Sequence, residues 1–390
     1  MKICYAVCEY NPFHYGHLKH LDYINNELLP DAVAVIMSGN FTQRGEAAIE
    51  DKYTRAIHAI KGGADIVIEL PAVFATASAE IFAKGALKLV NAAVGEKTLC
   101  FGAETDDLPS LVRTAEFLIK EPPEFKTALK EELAKGVTFP KARCVALEKT
   151  GYGAESSLLK TPNNVLAAEY IKAIISGGYD INVKSLKRSG DYNDKDLKKD
   201  YSSALAVRES IKNGKIKSAK EAVPDFARGD LPEILPDFDA ITLYSLITAA
   251  KEDLRALPDC NEGLENKIKA ALKNSFTVHD LISRLKSKRY VETRLKRVLL
   301  SSVLGIKKDL VSRSLSDDLY LKILAVNKDK KWLLSEFSKA KYPLITRKSD
   351  TNSLGGTALE TFMKDVEAQE IYSAVTKKRL NEFETVMVCR

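Results

Sequence analysis

Apolar and polar positions alternate in blocks through the first 200 residues. Four short, almost purely apolar runs occur at 3–8, 32–37, 66–70 and 98–101. Runs of this length that end at glycine, proline or serine are typical of strands buried on both faces. Apolar residues recur at helical spacing over about 18–28, 50–62, 78–93, 108–120, 125–136 and 164–177. This alternation predicts an α/β fold, with a Rossmann-like, doubly wound parallel sheet.

Three polar or glycine-containing segments directly follow three of these runs. They cover residues 9–17, 38–45 and 102–104. In doubly wound sheets, ligands bind outside the carboxyl ends of the strands. We therefore expect the three segments to line one site at that edge of the sheet.

The first of these segments carries a His-x-Gly-His sequence. Residues 11–17 read Asn-Pro-Phe-His-Tyr-Gly-His and precede a helical pattern. Gly16 permits phosphate oxygens to approach the backbone, and the N-terminus of the following helix attracts anions. His14 and His17 can donate hydrogen bonds to the charge that develops on an attacked phosphate. Placed on the first strand–helix turn, the motif predicts an ATP site.

Other residues near these segments admit simpler interpretations. His14, His17 and His20 share a spacing that invites a metal site, but no neighbouring Cys or Asp completes a tetrahedral set, so we expect no protein-held metal. Arg44, bracketed by glycines on the second segment, is expected at the carboxyl edge. Glu69 lies within an apolar run and needs a buried partner.

Beyond about residue 210 the apolar positions recur mainly at helical spacing. We therefore predict two domains, an ATP-binding domain over 1–210 and a helical region over 211–390. Residues 284–308 contain nine lysines and arginines but a single acidic residue, Glu292. Such a run is either a solvated helix face or a polyanion-binding surface. We expect it to bind RNA, through Arg289, Arg294 and Arg297, and to lie away from the ATP site.

Composition narrows the class of protein further. The 390 residues are 45% hydrophobic and 29% charged, with a formal net charge of +6, which is ordinary for a globular protein. The six cysteines are scattered without a Cys-x-x-Cys pair. No apolar window approaches the ~18 residues of a membrane span, and no secretory signal pattern is visible. These features favour a cytoplasmic protein with reduced thiols and no membrane partner.

Six short segments occur in order over about residues 1–210. They are Cys-Glu-Tyr-Asn-Pro-Phe-His-Tyr-Gly-His at 8–17, Gly-Asn-Phe-Thr-Gln-Arg-Gly-Glu at 39–46, Gly-Ala-Asp-Ile-Val-Ile-Glu-Leu-Pro at 63–71, Phe-Gly-Ala-Glu at 101–104, Pro-Asn-Asn-Val-Leu at 162–166 and Leu-Lys-Arg at 186–188. Together they resemble segments of the tRNA(Met) cytidine acetate ligase family, in the HIGH-motif nucleotidylyltransferase superfamily. The resemblance is looser beyond residue 210, chiefly over 294–306.

The resemblance implies a ligase that consumes ATP to form acetyl-adenylate, AMP and pyrophosphate. Its other substrates would be acetate and elongator tRNA(Met), whose wobble cytidine would become N4-acetylcytidine. Mg²⁺ would be held mainly by the nucleotide. The implied catalytic residues are His14, His17 and Arg44. The implied nucleotide contacts are Val7, Glu9, Tyr10, Asn11, Pro12, Phe13, His14, Gly16, His17, His20, Gly102, Asn163 and Arg188.

The sequence also departs from the superfamily pattern. Residues 202–208 stand where a second phosphate-binding signature is expected but lack its threonine, and no Lys-Met-Ser-Lys-Ser segment occurs. Pyrophosphate would then be stabilised by Arg44, Arg188 or Arg208. Asn163 is either a nucleotide contact or a helix N-cap. No residue stands out as a general base for acetyl transfer.

Two other functions compete with this interpretation. A small-molecule adenylyltransferase of the same superfamily would use the His-x-Gly-His site but needs no basic helical extension. A non-catalytic RNA-binding protein would need neither histidine, so the intact motif over 14–17 disfavours it.

Overall fold

The computed structural model describes residues 1–188, 197 and 202–390. Eight strands in this part of the chain form one sheet, in the order β5-β4-β1-β2-β3-β6-β7, and β8 also pairs with β6. The strands are β1 Lys2–Cys8, β2 Ala32–Ser38, β3 Ile66–Leu70, β4 Glu96–Ala103, β5 Ile181–Lys187, β6 Leu321–Asn327, β7 Leu344–Ile345 and β8 Val386–Val388.

Helices connect these strands and cover both faces of the sheet. In the first half of the chain they are α1 Tyr15–Tyr23 with a π-helical turn at Ile24–Leu28, α2 Lys52–Lys61, α3 Ala72–Ala75, α4 Ala79–Ala92, α5 Leu108–Lys120, α6 Pro123–Ala134, α7 Phe139–Lys149, α8 Gly153–Leu158 and α9 Pro162–Gly177.

In the second half they are α10 Ala204–Lys212, α11 Ile216–Glu221, α12 Asp225–Arg228, α13 Asp239–Thr248, α14 Lys251–Arg255, α15 Leu264–Leu272, α16 Val278–Leu285, α17 Glu292–Leu304, α18 Lys308–Ser316, α19 Leu333–Phe337 and α20 Gly356–Thr376, with 3₁₀ turns at Lys328–Lys330 and Lys348–Ser353. None of the helices in the described ranges is long and apolar enough to cross a membrane.

The predicted α/β fold with a parallel sheet is confirmed. β1 pairs in parallel with β2 and β4, β2 with β3, and β4 with β5. The side chains of β1 alternate between two cores, since Ile3 and Tyr5 pack on one face and Cys4 and Ala6 on the other. Strands buried on both faces read as continuous apolar runs, so β1 to β4 were recognisable from sequence.

The structure adds strands that the helical interpretation of residues 211–390 does not contain. β6 pairs antiparallel with β3, and β7 and β8 pair in parallel with β6. All seven residues of β6 are buried, so its run Leu-Lys-Ile-Leu-Ala-Val-Asn carried a strand signal of its own. β5 was also missed, because polar residues, including Lys184 and Lys187, interrupt the apolar positions of this partly exposed edge strand. The division into domains at residue 210 stays a prediction, but residues 321–388 complete the sheet of the first region.

Candidate active site

A cavity of about 210 Å³ opens at the carboxyl edge of the parallel strands. It collects all three segments that were expected there, together with the end of β5 and the start of α10. The residues that line it are Val7, Cys8, Glu9, Tyr10, Asn11, His14, Gly16, His17, Lys19, His20, Thr42, Gln43, Arg44, Phe82, Phe101, Gly102, Asn163, Leu166, Tyr170, Leu186, Lys187, Arg188, Ala204, Leu205 and Arg208.

Most of the predicted nucleotide and catalytic residues therefore meet in one place, although their roles stay predictions. Two of the predicted nucleotide contacts do not line the cavity. Phe13 is fully buried and packs its ring against Tyr10 and Phe226. Pro12 follows a cis peptide bond and is buried beside it. Both residues lie in the turn beside the cavity, and their role as nucleotide contacts stays a prediction.

The His-x-Gly-His turn forms a reciprocal cap at the start of α1. Gly16 N–H donates to His14 Nδ1 at 3.0 Å, and His14 N–H donates to His17 Nδ1 at 3.2 Å. Since each Nδ1 accepts a hydrogen bond, the proton of each neutral imidazole lies on Nε2. The two rings stack with centroids 3.7 Å apart. The backbone thus orients both imidazoles as Nε2–H donors.

Both imidazoles are neutral in this environment. Burial lowers the pKa of His14 to about 3, and the positive charges of Arg188 and Arg208 add to the effect. Burial and the neighbouring His14 hold the pKa of His17 well below its usual value. Burial likewise lowers the pKa of His20 to about 4, and its Nε2 lies 3.3 Å from Cys100 Sγ. Neutral donors can bind phosphate without the desolvation cost of burying further charge.

Cations outnumber carboxylates among the described residues that line the cavity. Its lining contains one carboxylate, Glu9, among the described residues, and five cations: Lys19, Arg44, Lys187, Arg188 and Arg208. Arg208 Nη1 also donates to Asn11 O at 2.6 Å, which fixes this guanidinium beside the His-x-Gly-His turn. Arg208 therefore reaches the cavity even though the serine–threonine signature around it is degenerate. A cavity of this charge suits a polyanion.

A buried arginine that sequence reasoning missed joins the loops after β1 and β2. Arg55, on α2, is completely buried. Its Nη1 donates to Glu9 O at 2.5 Å and to Ser38 O at 3.1 Å, while Nη2 donates to Gly39 O. The fixed fork of guanidinium donors suits this task, because three of its hydrogen bonds satisfy carbonyls at or just after the ends of two strands. No sequence signal marked Arg55, since an arginine on a helix usually faces solvent.

Asn163 and Glu104 tie the end of β4 to the start of α9. The Glu104 carboxylate accepts from Asn163 Nδ2 at 2.6 Å and from Asn164 N–H at 2.7 Å. Asn164 Oδ1 accepts in return from Glu104 N–H at 2.9 Å. A carboxylate at a helix N-terminus is favoured by the helix dipole. Asn163 thus has a structural contact in addition to its place in the cavity wall.

Gly102 is in close contact with Arg188 rather than with open space. A Cβ atom on Gly102 would lie 3.2 Å from Arg188 Cγ and 3.4 Å from Cδ. Arg188 N–H also donates to Ala103 O at 2.8 Å. The absence of a side chain at Gly102 therefore sets the position of the arginine, which in turn lines the cavity.

The aromatic and apolar part of the cavity wall was not predicted from the sequence. Phe82 on α4, Phe101 on β4, and Leu166 and Tyr170 on α9 belong to or pack against the core on the face opposite Phe13. The Tyr170 and Phe101 rings lie 5.9 Å apart. The spacing of Asn163, Leu166 and Tyr170 places one face of α9 along the wall, but this pattern is the same as that of an ordinary buried face.

The basic run does not present its arginines as predicted. Arg294 donates to Asp259 O at 2.9 and 3.1 Å, and Arg297 donates to the Asp259 carboxylate at 3.1 and 3.3 Å. Both arginine side chains are therefore bonded to the loop before α15, because α17 packs against that loop. Arg289 remains exposed. A role in RNA binding stays a prediction for all three, but only Arg289 presents an exposed side chain.

The basic run also contacts the loop that carries Arg44, although none of its residues lines the cavity. Gly45 has a φ of +76°, and a Cβ atom there would lie 2.5 Å from Arg297 N. Beside it, Lys296 Nζ pairs with Glu46 Oε1 at 2.6 Å. The segment that carries Arg44 is therefore held directly by α17, which corrects the expected separation of the two regions.

Comparisons with known proteins agree with this geometry. A family model described as HIGH Nucleotidyl Transferase matches residues 1–385. A Caldanaerobacter subterraneus protein named tRNA(Met) cytidine acetate ligase is 39% identical over 95% of this chain and 94% of its own length. A Thermoanaerobacter protein of the same name is 38% identical over 97% of this chain and 96% of its own.

Two solved structures are similar over their full length. The crystal structure of Thermotoga maritima TmcAL without ligand superposes with a TM-score of 0.92 at 29% identity, covering 100% of both chains. The same Thermotoga protein bound with alpha-thio ATP superposes with a TM-score of 0.89 at 30% identity, again covering 100% of both chains.

Proposed function

The chain belongs to the HIGH nucleotidyl transferase family and, within it, to the tRNA(Met) cytidine acetate ligases, and on that premise we propose that it uses ATP to join acetate to the N4 amine of a cytidine in tRNA(Met). The observation that carries this proposal is the cavity at the carboxyl edge. It combines two oriented Nε2–H donors on the first strand–helix turn with five cations in its described lining.

In the first step, a carboxylate oxygen of acetate attacks the α-phosphorus of ATP in line. The bond from the α-phosphorus to the bridging oxygen breaks, and pyrophosphate leaves with that electron pair. Because a carboxylate is already nucleophilic, the protein contributes position and electrostatic stabilisation rather than a base. His14 and His17 donate from Nε2, while Arg44, Arg188 and Arg208 balance the charge of the leaving pyrophosphate.

Mg²⁺ would be held in this site by the nucleotide and not by protein ligands. The described residues contain no group of three or more His, Cys, Asp or Glu side chains that would hold a metal ion. Glu9 alone offers a carboxylate in the described lining. When bound through the phosphates, Mg²⁺ supplies charge neutralisation there.

In the second step, the N4 amine attacks the carbonyl carbon of acetyl-adenylate. The new N–C bond forms, the C–O bond to the phosphate breaks, and AMP leaves. The base must be extruded from its loop to reach the cavity, which is how single-stranded RNA is usually recognised. A candidate RNA surface near this opening is supported by the exposed cations at the end of α16 and by the contact of α17 with the Arg44 segment.

Incubation with ATP, radiolabelled acetate and total tRNA, followed by nucleoside analysis, tests the proposal. We expect label in N4-acetylcytidine and acetate-dependent release of AMP. His17→Ala should slow the reaction by ~10²–10³-fold, the usual loss when one preorganised donor is removed. AMP release that depends on a phosphorylated metabolite instead of acetate would favour a small-molecule adenylyltransferase. No ATP consumption under any condition would favour a non-catalytic RNA-binding protein.

A further inference from the structure

The negative charge of Glu9 is unexpected in a cavity that is proposed to bind anions. It is the single carboxylate in the described lining, facing five cations, and both ATP and acetate are negatively charged. A half-buried carboxylate carries a desolvation cost and repels both substrates of the activation step. Its presence is therefore not explained by that step.

The Glu9 side chain is held at the centre of the carboxyl edge, directly after β1. Its Oε1 accepts from Gln43 N–H at 2.7 Å, and its backbone carbonyl accepts from the buried Arg55 at 2.5 Å. The two bonds hold the carboxylate between the His-x-Gly-His turn and the segment that carries Arg44. Oε1 accepts this hydrogen bond, whereas Oε2 accepts none from the described residues.

We propose that Glu9 is the general base of acetyl transfer, accepting a proton from the N4 amine of cytidine at its carboxylate. This role rests on the proposed function and assigns the proton acceptor that the sequence left open. It differs from the nucleotide contact that the family resemblance implied for Glu9.

The proton and electron balance of the step is complete within the site. The lone pair of N4 forms the bond to the carbonyl carbon, and the electrons of the breaking C–O bond pass to the phosphate of AMP. One proton of the amine moves to the Glu9 carboxylate and is later released to water. The carboxylate is regenerated, and no further reactant is needed.

The environment tunes Glu9 for this task. Burial raises the pKa of Glu9, and the Gln43 N–H bond and nearby arginines counteract part of that increase. A carboxylate of raised pKa is a stronger base near neutral pH. The charged or titratable groups around it come from five elements or segments: Cys8 of β1, Arg55 of α2, Arg44 of the loop after β2, Tyr170 of α9 and Arg208 of α10.

Glu9→Gln separates this role from a structural one, because the glutamine Oε1 still accepts from Gln43 N–H. Activation is measured as acetate-dependent ATP–pyrophosphate exchange, with a tRNA whose wobble cytidine is replaced by uridine. That tRNA lacks the accepting amine, so exchange reports activation alone. Transfer is measured in a single turnover with labelled acetate and the cytidine-containing tRNA.

We expect Glu9→Gln to reduce transfer far more than it changes exchange or ATP affinity, because the attack of acetate on ATP needs no base. Transfer should fall by ~10²–10⁴-fold, the usual contribution of a positioned base. In the wild type, transfer normalised to exchange should rise with pH as Glu9 ionises, and Glu9→Gln should lose this dependence. Glu9→Asp should keep the dependence at a reduced rate. Glu96→Gln, at the exposed amino end of β4, is the matched control.

Three results would overturn the assignment. Equal losses of exchange and transfer would make Glu9 a positioning residue of the loop. Weaker ATP binding would make it a nucleotide contact. Unchanged transfer would remove it from the chemistry. If instead the wild type showed no acetate-dependent exchange, the proposed function itself would fail, independently of Glu9.

Discussion

Replacing Glu69 with glutamine tests the buried ion network behind the loop after β2. Glu69 pairs with Lys52 at 2.8 Å and with Lys322 at 2.9 Å, and Lys52 pairs with Glu382 at 2.8 Å. Lys322 also bonds to Glu382. All four side chains are at most 5% exposed, so the charges balance each other almost without water.

Glu69→Gln leaves two buried ammonium groups against one carboxylate. Breaking a buried pair on one side costs about 3–5 kcal/mol, because the remaining charge is uncompensated. For 390 residues, an unfolding entropy of ~2.1 cal/mol/K per residue gives roughly 0.8 kcal/mol/K, so Tm should fall by about 4–6 °C.

Thermal and urea unfolding of three variants measures this effect. Adding Lys322→Met to Glu69→Gln removes the excess charge and leaves the Lys52–Glu382 pair intact. The double variant should therefore be more stable than Glu69→Gln alone. Glu96→Gln removes an exposed carboxylate and should shift Tm by less than about 1 °C. A comparably small shift for Glu69→Gln, or a double variant no more stable than Glu69→Gln alone, would refute the buried-charge reasoning.

Further predictions concern the nucleotide wall, pH and RNA. Gly102→Val should push Arg188 aside and weaken ATP binding several-fold in calorimetry, whereas Gly153→Val, with no atom within 4 Å of its Cβ position, should not. Burial raises the pKa of Glu50 to about 8, so its contribution to stability is complete below its unfolded pKa of about 4.3 and is lost as pH rises towards 8. Urea unfolding should therefore show a smaller loss of stability between pH 5 and pH 8 for Glu50→Gln than for the wild type. Replacing the exposed cations Arg284, Lys288 and Arg289 together with alanine should reduce the log–log salt slope of tRNA binding by about two units in filter-binding titrations. An unchanged slope would mean that the tRNA binds elsewhere.

Local patterns in the sequence were enough to predict the parallel strands β1 to β4 and much of the cavity. Strands β1 to β4 are buried on both faces, so each appears as an apolar run with a polar segment after it. Because parallel strands place their carboxyl ends at one edge, residues as distant in sequence as Glu9, Arg44 and Gly102 could be assigned to one site. Glu69 within its strand likewise indicated that a buried partner was needed.

Tertiary structure alone decided which partners those residues have. Lys322, the second cation on Glu69, comes from a strand more than 250 residues away in a region that the sequence made helical. Arg55 bonds to the Glu9 carbonyl and Tyr170 lines the cavity, but each lies on a helix whose sequence pattern is the same as that of any packed helix. Arg294 and Arg297 look like RNA ligands in sequence, but they bond to Asp259 because α17 packs against that loop. Periodicity reports which face of an element is buried, whereas the identity of its neighbour depends on how distant segments pack together.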